Sequence, residues 1–115
     1  MLSFFYLFCY YSAVIQLIDV HTCTIDRASE LILSKIHSCK KTGVKVLKII
    51  HGHHRGTAIK DFLPDLLLGS VKAFCPGEKF NMWEAEGRAL IALCPALAKD
   101  HDYRFANPGV TVAVL

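Results

Sequence analysis

The sequence predicts an α+β domain: a two-layer sandwich with a four-stranded mixed sheet, two helices on one face and an inserted helix before the last strand. Two apolar runs, residues 13–20 and 44–50, are separated by one amphipathic segment over residues 25–41. A strand, a helix and a strand with short links form a βαβ unit, whose two strands are parallel and usually neighbours. Later apolar runs supply the other two strands, so the element order is β-α-β-α-β-β with a helical insertion.

The first helix has start and stop signals at its two ends. Thr24 is a suitable N-cap, and Asp26 places a carboxylate in the first turn, where the helix dipole favours negative charge. Gly43 ends the helix, because glycine readily takes the left-handed conformation that follows a last turn. Apolar residues at helical spacing predict a face toward the core, namely Ile25, Ala28, Leu31, Ile32, Ile36 and Cys39.

The second helix and the third strand are short. The helix is predicted to begin near Thr57, and Pro64 is expected to end or restart it, since a proline ring disrupts a helix interior. The third strand covers the apolar residues 71–75 and ends at Pro76 and Gly77, a turn signal.

Residues 78–107 are predicted to be an insertion between the third and fourth strands. Asn81 is expected to cap its helix and Pro95 to stop it. Residues 110–115 are β-formers and make the last strand. The predicted domain therefore spans residues 13–115.

The first 18 residues carry no charge, which permits two interpretations. Either residues 1–12 are an apolar leader outside the core, or residues 1–18 anchor the protein to a membrane. A signal peptide has Lys or Arg before its apolar region, and this sequence has neither there. A membrane-spanning helix would need residues 15–18, which the first strand also needs. The sequence therefore favours a cytoplasmic protein without stable membrane association, with the anchor as the alternative.

Composition excludes some classes and permits others. The 115 residues are enough for one domain, and five scattered cysteines with no CxxC pair indicate reduced thiols instead of a disulfide framework. The net charge of +3 permits an anionic partner without requiring one. Neither value fixes the oligomeric state.

Polar residues follow the ends of the first two predicted strands. Asp19 and His21 close the first apolar run, while His51 and a glycine-flanked loop over residues 52–56 close the second. Parallel neighbouring strands end at the same edge of a sheet, where α/β sheets bind ligands. These residues are therefore expected to converge on one small site.

Several ordered motifs together carry a family resemblance. Residues 18–21 (Ile-Asp-Val-His) match a Leu-Asp-x-His motif, and Thr24 caps the helix that follows. Residues 49–52 (Ile-Ile-His-Gly) lead into a glycine-containing loop ending at Gly56, and residues 109–112 (Gly-Val-Thr-Val) match the closing strand. In these features the chain resembles the Smr domain, the small MutS-related module. The resemblance implies a fold like the C-terminal domain of bacterial translation initiation factor three.

The resemblance also implies work on nucleic acid, since Smr domains nick DNA or cleave RNA and some act on stalled or collided ribosomes. Phosphodiester cleavage needs proton transfer and charge stabilisation on the phosphate. We expect Asp19 and His21 to carry out proton transfer, with His51 assisting. The residues expected to hold phosphate are Gly52, His53, Arg55, Gly56 and Lys60.

Asp19 could act as a general base, bind a metal ion or orient His21. The alternative is a purely structural role, in which a carboxylate at a strand end bonds to nearby backbone N–H groups. The cluster of His51, His53 and His54 also resembles a set of metal ligands. Because His53 and His54 are adjacent and no HExxH pattern accompanies them, we predict no tightly bound metal, and leave room for a weakly held Mg²⁺.

The leading hypothesis is an endonuclease of the Smr type, acting on DNA or RNA. The alternative is a non-catalytic RNA- or ribosome-binding module on the same fold. Phe80 and Trp83 either stack on bases or cover the inserted helix. A group of basic residues consists of Lys40, Lys41, Lys45 and Lys48. It forms either a solvated face or a surface that binds along the phosphates of a nucleic acid.

Overall fold

The computed structural model of the protein describes residues 14–53 and 56–115. Within them it has four strands, three α-helices and two short 3-10 helices. In chain order these are β1 (Ile15–Asp19), α1 (Ile25–Thr42), β2 (Val46–Ile50), α2 (Ala58–Leu67), β3 (Ala73–Pro76), a 3-10 helix (Gly77–Lys79), α3 (Ala85–Leu93), a second 3-10 helix (Pro95–Lys99) and β4 (Val110–Val114). The predicted leader, residues 1–12, lies outside the described residues.

The sheet confirms the predicted α+β class with a four-stranded mixed sheet. Its strand order is β1-β2-β4-β3, with β1 parallel to β2 and β4 antiparallel to both of its neighbours. The last residue of β1, Asp19, lies opposite Ile50 at the end of β2, and Ile50 lies opposite Val110 at the start of β4. One edge of the sheet, called here the site edge, therefore collects the carboxyl ends of β1, β2 and β3 and the amino end of β4.

The N-terminal apolar run contributes to this sheet. Residues 15–18, which a membrane anchor over residues 1–18 would need, belong to β1. Among the residues that the structure describes, no helix has the length and apolar character required to cross a bilayer.

Helix α1 has the predicted caps. The side chain of Thr24 accepts a hydrogen bond from the Arg27 N–H at 3.2 Å. At the other end Gly43 has a φ of 79°, and its N–H donates to the carbonyl of Cys39. The predicted apolar stripe is buried at Ala28, Ile32, Ile36 and Cys39, whereas Ile25 is 39% exposed.

The prediction that Pro64 ends or restarts α2 is wrong. The helix continues through it to Leu67, and the Leu68 N–H donates to the Pro64 carbonyl at 3.1 Å. Pro64 lies on the exposed side of the helix, while Ile59, Leu63 and Leu67 on the other side are buried. Burial of that stripe therefore outweighs the one hydrogen bond that proline removes.

Helices α1 and α2 cover one face of the sheet, as predicted, and the chain between β3 and β4 covers the other face. We call residues 77–109 the β3–β4 connection. It buries Phe80, Leu90, Cys94 and Leu97 in a second core against the sheet. The insertion predicted over residues 78–107 is thus a cover for the face that α1 and α2 leave open.

The prediction that Asn81 caps the inserted helix is wrong in position. Helix α3 begins at Ala85, with Glu84 before it. The Asn81 Oδ1 instead accepts hydrogen bonds from the N–H groups of Trp83 and Glu84 at 2.8 and 3.1 Å. Asparagine readily bonds to backbone two residues ahead, which makes a turn before the helix and delays its start.

Lys48 is not part of a solvated basic face, which corrects that interpretation of the lysine group. It lies on β2 on the side that the β3–β4 connection covers, and is 7% exposed. Its Nζ contacts the carboxylates of Asp100, at 2.9 Å, and Asp102. Burial alone would lower the pKa of Lys48, but the two carboxylates raise it above its ordinary value.

Candidate active site

A cavity of about 710 Å³ opens at the site edge, between the ends of β1 and β2 and the start of α2. It is lined by residues 21–25 and 51–53, together with Gly56, Ala58 and Ile59. The strand ends therefore meet as the βαβ unit requires, because the crossover through α1 makes β1 and β2 parallel neighbours.

Asp19 and His21 form a hydrogen-bonded pair at this cavity. Oδ1 of Asp19 lies 2.5 Å from Nδ1 of His21 and also accepts the His21 backbone N–H at 3.1 Å. The hydrogen bond from the His21 side chain is the main reason why the pKa of Asp19 is lowered. Since a carboxylate only accepts, Nδ1 carries a proton, and Nε2 is the ring nitrogen left to act on a substrate.

His51 is held inside the protein. The residue is 5% exposed, with Nδ1 2.9 Å from the Gly52 carbonyl and Nε2 2.9 Å from the Thr111 hydroxyl. A carbonyl only accepts, so Nδ1 donates to Gly52, and the neutral ring accepts the Thr111 hydroxyl proton at Nε2. Burial lowers the pKa of His51. Both nitrogens of this ring therefore have protein partners, whereas among the described residues the His21 ring is bonded through Nδ1 alone.

Gly52 sits where only glycine fits easily. Its φ is 76°, and a Cβ added to it would lie 3.3 Å from the Cβ of His21. The N–H groups of His51 and Gly52 both donate to the Gly109 carbonyl at 3.0 Å, which fixes the start of the loop. The close approach of Gly52 and the position of His21 are therefore coupled.

The residues predicted to bind phosphate are only partly brought together. Gly52, His53 and Gly56 line the cavity, while Arg55 lies outside the described residues. Lys60 lies in an adjacent groove, where its Nζ contacts Oε1 of Glu78 at 2.6 Å.

The charge of Lys60 is therefore offset by a neighbour. Burial alone would raise the pKa of Glu78, but the hydrogen bond and charge of Lys60 hold it below its ordinary value. A phosphate near Lys60 would share its ammonium group with Glu78 or displace that carboxylate.

Sequence reasoning missed a set of residues behind the site. Oδ1 of Asn107 accepts the Gly109 N–H at 3.0 Å, and its Nδ2 donates to Asp102 at 3.2 Å. Asp102 in turn pairs with Lys48. A chain of polar contacts thus runs from the buried ion pair to the carbonyl that holds His51 and Gly52. The sequence showed residues 107–109 as a turn and gave no sign of this link.

Within the described part of the chain, no group of three or more His, Cys, Asp or Glu side chains is placed to hold a metal ion. At the cavity, Asp19 and His21 supply one carboxylate and one imidazole, already bonded to each other. A single carboxylate with water molecules is a common way of holding Mg²⁺ weakly, so Asp19 is the group that would serve.

Comparison with protein families matches residues 18–91 to the model of the Smr domain. The matched range is well over half of the chain and contains Asp19, His21, His51 and Gly52. It runs through most of α3, so the family pattern reaches into the β3–β4 connection. A search of curated proteins finds no significant match.

Proposed function

Because the chain belongs to the Smr domain family, a family associated with nuclease activity or nucleic-acid binding, we propose that it is an endonuclease that cleaves phosphodiester bonds in DNA or RNA. The observation that carries this proposal is the Asp19–His21 pair at the mouth of an open cavity. Structural carboxylates at strand ends usually bond to backbone; this one also fixes a half-exposed imidazole.

In this mechanism His21 transfers protons and Asp19 positions it. With Nδ1 bonded to the carboxylate, Nε2 takes a proton from the attacking oxygen or returns one to the leaving oxygen. The negative charge of Asp19 stabilises the imidazolium that forms, as the third group does in other nucleophile–base–carboxylate arrangements. Asp19 is therefore a positioning residue, and His21 the residue that contacts the reacting atoms.

His51 is assigned to positioning as well, instead of the assisting catalytic role first expected. Its two ring nitrogens are bonded to Gly52 and Thr111, which leaves neither for a substrate. By tying the loop to β4, the ring keeps Gly52 against His21. The role that remains for His51 is to fix the distance between the loop and the imidazole.

The start of α2 is the proposed phosphate site. Ala58 and Ile59, the first residues of that helix, line the cavity, and the N–H groups of a first turn have no intrahelical partners. Arg55 would add positive charge from the loop, and His53 would add a ring N–H donor. Lys60 would join them once released by Glu78.

The test is cleavage of supercoiled plasmid and of structured RNA by the purified protein, with Mg²⁺ and with EDTA. We expect His21→Ala to lower the cleavage rate by at least about 100-fold, because general acid–base catalysis commonly contributes that much. Asp19→Asn should lose most activity while binding of the same substrates survives. His37→Ala is the matched control, since His37 is an exposed histidine on α1 away from the cavity.

Two results would contradict the assignment. Unchanged cleavage in His21→Ala, or equal activity in all variants, would remove the proposed proton transfer. Cleavage that survives EDTA would exclude the weakly held Mg²⁺ but leave the roles of Asp19 and His21 intact.

A second candidate function is a non-catalytic RNA- or ribosome-binding module. The observation that favours it is the exposure of Met82 and Trp83, whose side chains could contact RNA but carry no group for proton transfer. Salt-sensitive binding of RNA, or co-sedimentation with ribosomes, without cleavage by the wild-type protein would support this alternative. We place either activity in the cytoplasm, where the free thiols of Cys39, Cys75 and Cys94 stay reduced.

A further inference from the structure

The β3–β4 connection exposes aromatic and apolar side chains that its own core does not use. Trp83 is 81% exposed, Phe105 67% and Met82 54%, whereas Phe80 close by in sequence is fully buried against Tyr103. Large exposed apolar groups that cluster mark binding surfaces more often than single ones do.

The turn that carries Trp83 is held from both sides by side chains. The Trp83 N–H donates to Oδ1 of Asn81 at 2.8 Å, and Nδ2 of Asn81 donates to the Glu78 carbonyl at 3.2 Å. Nη1 of Arg88 donates to the carbonyls of Met82 and Trp83 at 3.1 and 3.0 Å. The backbone under the exposed indole is therefore fixed in advance.

Helix α3 supports this turn through a close approach. A Cβ on Gly87 would lie 2.3 Å from the Asn81 carbonyl oxygen, so only glycine lets the helix come this near. Asn81, Gly87 and Arg88 thus all hold the turn that exposes Met82 and Trp83 to solvent.

Arg104 faces the same turn from the other end of the connection. Together with Asn81, Met82 and Trp83 it lines a concavity of about 470 Å³. Its φ of 103° is costly for a side chain other than glycine, and its N–H donates to the Phe80 carbonyl at 3.2 Å. The hydrogen bond to Phe80 helps to hold this strained backbone, and with it Arg104, at the concavity.

The chemistry of this concavity fits a nucleobase with its phosphate. An indole offers a flat face to any base, and a guanidinium pairs with phosphate or stacks on a base. The charges of Lys79 and Glu86 offset each other, since Nζ of Lys79 lies 3.9 Å from Oε1 of Glu86. Glu84, which follows Trp83 in the sequence, adds one negative charge. Local charge is thus nearly balanced, so recognition here depends on stacking more than on following a duplex backbone.

The concavity and the candidate active site are each linked by a hydrogen bond to a third opening. This is a groove of about 350 Å³, lined among others by Lys60, Glu78 and Thr111. Thr111 bonds to His51 of the cavity, and the Glu78 carbonyl bonds to Asn81 of the turn. These bonds tie the turn that carries Trp83 to the residues around the candidate active site.

We infer that Trp83 and Arg104 form a stacking subsite for an unpaired base, so that the preferred ligand is single-stranded nucleic acid or a loop. This inference rests on the proposed function, because it needs a nucleic-acid ligand. A duplex cannot offer a base to the indole without unstacking it.

Intrinsic fluorescence tests the subsite directly, because Trp83 is the one tryptophan in the sequence. We expect single-stranded oligothymidylate and oligouridylate to quench it, and a blunt duplex of the same length to quench it much less. Binding is followed in parallel by anisotropy of labelled oligonucleotides. Trp83→Ala should weaken binding by about five- to hundredfold, the range found for loss of one stacked base, and Trp83→Phe should keep most of the affinity.

Leu68→Ala is the matched control, because Leu68 is 78% exposed but lies after α2, outside the concavity. Single-strand binding without quenching, or equal affinity in Trp83→Ala, would overturn the subsite and leave the nuclease proposal standing. Equal quenching by the duplex would overturn the preference for unpaired bases. Absence of all nucleic-acid binding would overturn both proposals, and loss of cleavage in His21→Ala with normal quenching would separate them.

Discussion

His21 and His51 follow neighbouring parallel strands, yet their side chains have different chemistry. His21 comes two residues after the end of β1, beyond the last pair with β2, and its half-exposed ring bonds to Asp19. His51 follows β2 directly, between β1 and β4, and is enclosed by its bonds to Gly52 and Thr111. Position in the sheet, edge or centre, therefore separates the histidine proposed to carry protons from the histidine proposed to position the loop.

Burial of His51 should make stability depend on pH. Its folded pKa lies below the unfolded value of about 6.5, so acidification charges the ring more readily in the unfolded chain. We expect the free energy of unfolding to fall as the pH drops below about 6.5, with a slope of up to about 1.4 kcal/mol per pH unit. Urea unfolding at a series of pH values measures this slope.

The comparison variants for that experiment are His51→Gln and His37→Gln. Removing His51 should flatten the dependence, while removing the exposed His37 should leave it unchanged. The same slope in wild type and His51→Gln would show that this ring is not its source.

Gly52 and Gly43 make a matched pair for testing the contact with His21. Both have positive φ, 76° and 79°, but a Cβ at Gly52 meets the Cβ of His21 at 3.3 Å, whereas a Cβ at Gly43 meets nothing within 4 Å. We expect Ala at either position to cost about 1–2 kcal/mol of stability, from backbone strain. Only Gly52→Ala should also lower cleavage; equal cleavage losses in the two variants would contradict the coupling of Gly52 to His21.

At the scale of elements, end signals were better predictors than interior breakers. Helix α1 begins after Thr24 and ends at Gly43 as the sequence predicts, because caps act through local backbone bonds. Pro64, an interior breaker, and Asn81, an end signal, misled the prediction for different reasons. The buried stripe of α2 overrides the proline, and Asn81 spends its side chain on a turn instead of a cap.

Pro64→Ala should stabilise the protein. Alanine restores the hydrogen bond that proline lacks and favours the helix by about 3 kcal/mol, less about 1 kcal/mol for the greater freedom of the unfolded chain. We therefore expect a gain of about 2 kcal/mol, seen as a higher midpoint in thermal unfolding. Asp65→Ala, at the next exposed position, is the control, and a lower midpoint for Pro64→Ala would show that the ring packs favourably beside Phe74.

For the whole molecule, the β3–β4 connection joins the second core to the site. It covers one face of the sheet with Phe80 and Leu97, and it places Asp100 and Asp102 on the buried Lys48. From Asp102 the contacts continue through Asn107 to the Gly109 carbonyl that holds the site loop. The connection is therefore a structural part of the domain as well as the carrier of Trp83.

Lys48→Met should destabilise the protein strongly. It leaves the carboxylates of Asp100 and Asp102 buried together without their cation, which typically costs about 3–5 kcal/mol. Urea unfolding measures the loss, and Lys45→Met, just before the same strand, is the control, since Lys45 is exposed and should change stability by less than about 0.5 kcal/mol. Adding Asp100→Asn and Asp102→Asn to Lys48→Met should recover much of it; a mild effect of Lys48→Met alone would contradict the buried ion pair.

The sequence by itself determined the βαβ unit, the capped α1 and the meeting of Asp19, His21 and His51 at one edge. Periodicity, caps and the handed crossover are local or topological, so they can be read without coordinates. Only the tertiary structure decided that His51 is enclosed, that Lys60 pairs with Glu78 and that Lys48 is buried. Each of these depends on a partner far along the chain, brought close by the packing of the β3–β4 connection and β4, and no local pattern encodes such a partner.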